Sequence, residues 1–292
     1  MTAIVSAVIL GVGVLLAGNV PWGGLPGLPG FASLNLRFAQ AVPWAILPMG
    51  LYLWIYWRFI SGAIGPRDSA EWRRSNLRAH SVPGDIWGPA VMAGFLGFGA
   101  LLALLAVMQR VVNLPDSPPA ATPAGMPFIT LFLLLVMASI VAGVTEEAAF
   151  RGYMQTPIER RYGVVAAVLV NGTMFGLLHF SNHPGDVLTM LPYYIAVAGV
   201  YGGLTWATDS ILPALVLHAG GDVFSLTRLW TTGRAEWQLT AERAPLVWES
   251  GFDTAFAAAL VALVLLGGAT AWAYRGLRAL SSQMQSSAIP EA

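Results

Sequence analysis

Long apolar stretches without charged residues alternate with shorter polar connections along the whole chain. An uncharged apolar run of about 17–25 residues is long enough to cross the hydrocarbon core of a bilayer as an α-helix. Seven runs of this kind are present: Ile4–Val20, Ala41–Trp57, Trp87–Met108, Met126–Thr145, Gly163–Phe180, Val187–Thr208 and Thr254–Tyr274. The pattern therefore predicts seven transmembrane helices.

An eighth apolar run is shorter. Ser210–Gly221 has 12 residues, with Pro213 inside it. At ~1.5 Å per residue it would extend about 18 Å, against a hydrocarbon core of roughly 30 Å. It either continues through Phe224–Leu226 or forms half of a broken helix. Counting it as the seventh segment in chain order, we predict an all-α fold, a polytopic membrane helical bundle with about eight transmembrane helices.

Composition agrees with a membrane protein and narrows the chemistry. Of the 292 residues, 56% are apolar and only 10% are charged, whereas charged residues make up about 25% of an ordinary soluble domain. Mean hydropathy is +0.65. The chain has no Cys, and all 15 basic residues are Arg, which excludes disulfides, thiolate nucleophiles, cysteine metal sites and lysine-based catalysis. Since the net charge is zero, no overall field attracts nucleic acid.

Arginine is distributed unevenly between the two sides of the predicted bundle. Ten arginines fall on one side, in the Arg58–Arg78 loop, in the Arg151–Arg161 connection, and at Arg275 and Arg278. Five fall on the other side, three of them in the long 222–252 loop. Basic residues in short connections mark the cytoplasmic side, and long loops count for little. The asymmetry therefore predicts a multi-pass protein of the cell membrane with both termini in the cytoplasm.

Few ionisable residues lie within or beside the apolar runs, and such residues are functional candidates because their burial in lipid is costly. Glu146, Glu147 and Arg151 follow the fourth run. Glu147 and Arg151 have the i,i+4 spacing of a helical ion pair. Adjacent carboxylates point about 100° apart on a helix, so we expect Glu146 to point elsewhere, without a local partner. A solvated acid cluster at a helix end is the alternative interpretation.

Two histidines complete the set of candidates. His179 ends the fifth run, one turn after Phe175, and His218 precedes Asp222 by four residues in the short seventh run. Each of these pairs therefore shares one helix face. Taken singly, His179 is more typical of a hydrogen-bonded packing residue. His218 and Asp222 could equally form a pair that only satisfies itself.

Taken together, the candidates on three helices are suited to activating water. A carboxylate can take a proton from water, and a histidine can orient that water. A second histidine and an acid can stabilise an oxyanion, or all four groups can bind a metal. Either arrangement would hydrolyse a peptide bond inside the membrane. The Gly-x-Ser-Gly, His-Glu-x-x-His and Gly-x-Gly-Asp motifs of other intramembrane proteases do not occur in the sequence.

At these positions the sequence resembles the CPBP family of membrane proteins, which includes the CAAX proteases and the bacteriocin-processing (Abi) proteins. The three parts of the family pattern read here as Glu146-Glu147-Ala-Ala-Phe-Arg151, Phe175-Gly-Leu-Leu-His179 and His218-Ala-Gly-Gly-Asp222. The resemblance covers about residues 126–226, which we interpret as the catalytic core. Residues 1–125 then hold the variable N-terminal transmembrane helices 1–3. Residues 227–292 hold an external loop, the last transmembrane helix and a disordered tail.

The resemblance implies an eight-helix fold and an intramembrane endopeptidase whose partners are the lipid bilayer and a membrane-associated protein or peptide substrate, not nucleic acid. Glu146 would be the base that activates water and His179 its partner, with His218 and Asp222 as the oxyanion or metal set. No organic cofactor is implied, and one divalent metal ion, zinc, is left open with those four residues as ligands. The supporting residues would be Glu147, Arg151 and Phe175.

Asp222 departs from the best-described prenyl-protein members of the family, which carry Asn at this position. An ionised Asp cannot donate a hydrogen bond, so an oxyanion role requires Asp222 to be protonated. If Asp222 is charged, metal ligation or orientation of His218 fits better. The identity of the substrate does not follow from the resemblance.

Two other functions are consistent with the sequence. A non-proteolytic membrane protein of the same fold, such as an immunity factor or a scaffold, would keep the helices without cleaving a substrate. A transporter would use the same glutamate and histidine side chains as a proton relay.

The predicted helix boundaries create one difficulty. Glu146 falls toward the cytoplasmic end of its helix, whereas His179 lies 16 residues after Gly163, about 24 Å deeper by helical rise. Both could serve one site only if Met154–Tyr162 enters the membrane, or if the predicted helix ends are wrong by a turn or more. Since boundaries are the weaker inference, we expect the motif to be right.

Reporter fusions test the predicted orientation. A fluorescent protein that folds only in the cytoplasm should give a signal when it is fused after Ala292 or inserted beside Asn76, because both positions lie on the arginine-rich side. An exported phosphatase fused at the same positions should be inactive. Phosphatase activity at either position would overturn the orientation.

Overall fold

The computed structural model describes residues 2–21, 26–38, 41–116, 125–179 and 187–287. These residues are mainly helical, and no β-strand occurs among them. The predicted all-α fold class is therefore confirmed. The last five residues of the predicted tail, and residues 117–124 of the connection that follows the third apolar run, lie outside the described ranges.

The described residues form eleven α-helices in chain order: α1 (Thr2–Asn19), α2 (Leu28–Arg37), α3 (Ile46–Ile60), α4 (Ala70–Leu77), α5 (Gly84–Val111), α6 (Phe128–Glu146), α7 (Gln155–Leu178), α8 (Val187–Thr208), α9 (Leu212–Thr232), α10 (Val247–Ser250) and α11 (Thr254–Ser287). A 3₁₀ turn at Arg67–Ser69 precedes α4. A π-helical segment, Glu147–Met154, joins α6 to α7.

Several helices are long and apolar enough to cross a membrane. By length and composition, five such stretches occur among the described residues: Thr2–Asn19, Gly84–Val111, Phe128–Leu178, Val187–Thr208 and Thr254–Met284. The apolar helix α3 is shorter, with 15 residues. Large apolar side chains on these helices are exposed, for example Leu47 at 79% and Trp272 at 77%, as expected where lipid replaces water. The chain is therefore a multi-pass membrane protein.

Each of the eight predicted runs lies on a helix, but some of the predicted ends are wrong. α9 has 21 residues and continues to Thr232, so the first part of the predicted 222–252 loop is helical. Pro213 lies in the first turn of α9, where its missing N–H would have no helical partner anyway. α11 continues to Ser287, so the predicted disordered tail is helical up to that residue. The total of eight spans stays a prediction.

The chain divides into two compact units whose segments alternate along the sequence. The first unit contains Met1–Ala79, Pro119–Gly163 and Leu215–Gly233, and the second contains His80–Pro118, Val164–Ala214 and Arg234–Ala292. Within α7 the boundary falls at Gly163, which has φ 83° and ψ 166° and interrupts the helix. Only glycine adopts this backbone conformation readily. The division of the sequence into N-terminal, core and C-terminal segments stays a prediction.

Aromatic hydroxyls and one ion pair join the helices of the first unit. The hydroxyl of Tyr56 on α3 donates to the carbonyl oxygen of Val14 on α1. Arg78 forms an ion pair with Glu159 at 3.0 Å, and both side chains are largely buried. This pair joins the Arg58–Arg78 loop to the first part of α7, which lies in the predicted Arg151–Arg161 connection; the arginine count places both stretches on one side.

In the second unit α5, α8 and α11 pack closely at small residues. A Cβ at Gly97 would come within 2.7 Å of Val200, and one at Gly203 would come within 2.8 Å of the Tyr274 ring. The Tyr274 hydroxyl donates to the Val200 carbonyl oxygen at 2.9 Å. Such close approach is typical of membrane helices, which gain most of their association energy from packing.

Arg110 at the end of α5 holds the connection before α11. Its side chain is 7% exposed and donates to both carboxylate oxygens of Asp253, at 3.1 and 2.9 Å, and to the carbonyl oxygen of Pro245. The backbone N–H of Phe256 and the Arg110 guanidinium hold the pKa of the Asp253 carboxyl below its usual range. The pair therefore stabilises the fold only while that carboxyl is ionised.

Replacing Arg110 with Gln should lower the thermal midpoint of the purified protein in detergent. The difference from wild type should be full at neutral pH and should shrink as the pH falls through the pKa of Asp253 in the folded protein, because the carboxyl is then neutral in both proteins. Arg243→Gln is the matched control, since its 3.6 Å pair with Glu249 is half-exposed and such pairs contribute little. An equal loss at neutral and acidic pH would contradict the assignment.

Candidate functional site

The helix that carries the first motif does not end where the apolar run ends. The 19 residues of α6 continue directly into the eight-residue π-helical segment, and that segment continues into α7. Glu146 therefore lies inside a long helix. The predicted end at Thr145 is wrong because the helix continues through residues that are polar but buried within the protein, which hydropathy cannot recognise.

Every residue of the π-helical segment is buried. Two helices approach it at glycines: a Cβ at Gly11 of α1 would come within 2.9 Å of the Ala149 carbonyl oxygen, and a Cβ at Gly152 would lie 3.1 Å from the carbonyl oxygen of Leu77. π-Helical turns often occur at functional sites. The burial does not fit the alternative of a solvated acid cluster at a helix end.

The predicted ion pair is present at the start of this segment. The Glu147 Oε1 and Arg151 Nη1 atoms are 3.1 Å apart, and the two side chains are 0% and 1% exposed. Because neither side chain reaches water, each charge depends on the other for its stabilisation.

Helix α9 brings His218 to the same carboxylate. A Cβ at Gly143 of α6 would lie 3.1 Å from the Ala219 Cβ and 3.3 Å from the Leu215 carbonyl oxygen, so the two helices are in backbone contact. Because the helices are this close, His218 Nδ1 lies 2.7 Å from Glu147 Oε1. An ionised carboxylate only accepts hydrogen bonds, so Nδ1 is the donor in this bond.

The other ring nitrogen of His218 faces two further acids. Nε2 lies 3.6 Å from Glu146 Oε2 and 3.6 Å from Asp222 Oδ2. The sequence predicts that Glu146 points away from Glu147, and in the structure Glu146 faces His218 of α9, a residue remote in the sequence. The angle between adjacent side chains does separate the two glutamates, as predicted, but it sends them to opposite nitrogens of one imidazole ring.

The three carboxylates differ in their access to water. Glu147 is closed off at 0% exposure, whereas the side chains of Glu146 and Asp222 are 20% and 26% exposed. Oε2 of Glu146 is itself buried and makes no hydrogen bond to any described residue. Glu146 is thus the glutamate with the more exposed side chain and with an unsatisfied carboxylate oxygen.

His179 and Phe175 belong to the second unit. His179 Nδ1 lies 2.7 Å from the carbonyl oxygen of Phe175, and since a carbonyl oxygen only accepts, Nδ1 is again the donor. The ring packs between Phe175 and Tyr194, with centroid distances of 4.3 and 5.0 Å. A proton on Nδ1 makes Nε2 the acceptor nitrogen of the neutral ring.

The sequence leaves a metal ion at these residues open. No group of three or more His, Asp or Glu side chains among them is arranged to hold a metal ion. In the first unit, one nitrogen of His218 is already hydrogen-bonded to Glu147, and the other lies 3.6 Å from the carboxylate oxygens of Glu146 and Asp222. No step of the reaction is therefore assigned to a metal.

Two features of the site are not evident from the motifs. The bond between Glu147 and His218 joins residues 71 positions apart, on helices that approach each other closely at Gly143 and Ala219. Tyr194 packs against His179 from an apolar run in which nothing distinguishes it from a packing residue. A pair of small residues on two predicted helices was the only signal for the first feature.

Replacing Arg151 with Met should destabilise the protein strongly, because it leaves the Glu147 carboxylate buried without its cation. Breaking a buried pair costs about 3–5 kcal/mol, measured by chemical unfolding in mixed micelles. Glu147→Gln combined with Arg151→Met should recover part of this loss. Arg74→Met is the control, since its pair with Glu71 is exposed and should matter by less than about 1 kcal/mol. Equal stability of Arg151→Met and Arg74→Met would contradict the buried pair.

Comparison with known proteins supports the resemblance read from the motifs. Searches of curated proteins and of solved structures find no significant match. Residues 128–224 match the family described as type II CAAX prenyl endopeptidase, Rce1-like, and this stretch contains all three motifs. Residues 128–224 therefore form an Rce1-like domain of the CPBP/CAAX protease family.

Proposed function

We propose that the protein is an intramembrane endopeptidase that hydrolyses a peptide bond in a membrane-associated protein or peptide through a water activated by Glu146 and histidine. The observation that carries the proposal is the imidazole of His218, held by buried Glu147 on one nitrogen and facing Glu146 and Asp222 with the other. The family match of residues 128–224 supports the same class of reaction.

Glu146 is the proposed general base. Its Oε2 is buried and has no hydrogen-bond partner among the described residues, while the side chain as a whole is partly exposed; a bound water would satisfy this oxygen. The carboxylate would take a proton as the water oxygen attacks the scissile carbonyl carbon. It would then return the proton to the leaving amine, as a general acid does in the second half of the reaction.

His218 is the proposed stabiliser of the oxyanion. Its Nδ1–H is fixed on Glu147, and Arg151 holds that carboxylate in place. When Nε2 also carries a proton, the ring presents an N–H to the negative oxygen that develops on the substrate. A donor oriented before the reaction is worth several kcal/mol in the transition state, because no reorganisation is needed.

Asp222 and His179 complete the proposed set. Asp222 would donate to the oxyanion in its protonated form, or orient His218 in its charged form, from 3.6 Å. The second motif implies that His179 is the partner of Glu146, and its Nδ1 donates to the Phe175 carbonyl oxygen. The role of His179 rests on its place in the second motif.

Cleavage of a membrane-associated peptide by the purified protein, followed across pH, tests the assignment. Glu146→Gln should reduce the rate by at least about 10²-fold, since an amide cannot accept the proton of water. Glu71→Gln is the control. Glu71 is an exposed acid, so this variant should cleave the peptide like wild type. Substantial cleavage by Glu146→Gln would refute the mechanism.

The same assay separates the two roles of Asp222. If Asp222 donates to the oxyanion in its protonated form, Asp222→Asn should keep most of the activity and extend it to higher pH, because an amide donates without needing a proton. If the charged form is needed, Asp222→Asn should lose activity at every pH. Repeating both measurements with a chelator shows directly whether a metal takes part.

A further inference from the structure

The side of α9 that faces away from the candidate site carries a groove. Residues at i, i+4, i+7 and i+11 share one helix face, and Gly220, Phe224, Thr227 and Thr231 have this spacing. His218 is two residues before Gly220, which places it about 200° around the helix. The groove face and the candidate site therefore lie on opposite sides of α9.

The groove lies between this face and α6, and its volume is about 520 Å³. Phe132 of α6 forms one wall, while Gly220, Val223, Phe224, Thr227, Arg228 and Thr231 line the other. Phe224 is 71% exposed, so the groove opens on the outside of the first unit rather than into its core. No acidic side chain is among these lining residues.

The polarity of the groove changes along α9. On the α9 side, the part of the groove nearer the start of the helix is lined by Gly220, Val223 and Phe224. The part nearer the end of α9 is lined by two threonines and Arg228. From Gly220 to Thr231 the helix rises about 16 Å, which is close to half of the roughly 30 Å hydrocarbon core. The apolar and polar parts are thus spaced like the acyl chain and headgroup of a lipid in one leaflet.

Aromatic rings mark the polar end of the groove. Phe128, one turn before Phe132 on α6, packs against Trp230 with ring centroids 5.1 Å apart. Tryptophan is enriched at the depth of lipid headgroups, which places Arg228 and the threonines at that depth. The Thr227 hydroxyl oxygen is buried and makes no hydrogen bond to any described residue.

We propose that this groove binds a glycerophospholipid of the bilayer. The acyl chain lies along Gly220, Val223 and Phe224 against Phe132, and the phosphate is held by Arg228, with the Thr227 hydroxyl as a further donor. Guanidinium and phosphate form strong, charge-assisted hydrogen bonds. The match in charge and in length selects a phospholipid over a peptide, and the position on the far side of α9 makes the site separate from the proposed catalytic residues.

Native mass spectrometry of the detergent-purified chain with added phosphatidylglycerol tests the proposal. Gly220→Leu fills the groove, and its Cβ meets no atom within 4 Å, so the variant should fold normally. Arg228→Gln removes the cation. Each should weaken retention of the lipid by about tenfold or more, equivalent to 1.4 kcal/mol.

Two variants serve as matched controls. Gly13→Leu introduces the same side chain at an open glycine of α1, and Arg243→Gln removes an arginine that is exposed. Both should retain phosphatidylglycerol like wild type. Diacylglycerol has the acyl chains without the phosphate. Wild type should retain it more weakly than phosphatidylglycerol, whereas Arg228→Gln should retain the two lipids equally.

Unchanged lipid retention by Gly220→Leu would overturn the proposal, as would equal retention of the two lipids by wild type. If Gly220→Leu no longer cleaves a peptide but still retains the lipid, the groove binds a peptide, and the lipid proposal is overturned as well. Since lipid retention is measured without any turnover, an inactive protein that still binds the lipid would leave this site standing while the proposed protease activity fails.

Discussion

The candidate site depends on the interactions of one carboxylate, that of Glu147. It is fully buried and accepts from His218 on α9 while it pairs with Arg151 on its own helix. A buried anion is tolerated only where cations and donors surround it, so the position of Glu147 obliges both partners to stay in place. The closeness of α6 and α9 at Gly143 and Ala219 is the backbone condition for that contact.

Burial gives two neighbouring glutamates different chemistry. The Glu147 side chain is closed off and its carboxylate accepts from His218, whereas the Glu146 side chain is partly exposed. The difference arises from one step along a helix, about 100° of rotation. Asp222, which faces the same ring nitrogen as Glu146, is partly exposed as well, so the proposed reactive groups differ from the proposed positioning group in solvent access rather than in residue type.

Much of the fold and of the site could be predicted from the sequence, because hydropathy and spacing are local. The apolar runs predicted the helices, and the i,i+4 spacing predicted the pair of Glu147 with Arg151. Hydropathy failed where polar residues are buried by protein, as after Thr145, and where a helix continues into polar sequence, as at the end of α9. The bond of Glu147 to His218 could not be predicted, because it depends on how two distant helices approach each other.

The π-helical segment also determines the direction in which the side chains around His218 point. A π turn closes its hydrogen bonds over one more residue than an α turn. Restoring α-helical bonding across Glu147–Met154 would require removing one residue from the turn, and everything on one side would then rotate by about 100°. Because Glu147 and Arg151 lie within the segment and Glu146 directly precedes it, a single-residue deletion there would keep the chain helical and the composition intact, yet dismantle the geometry around His218.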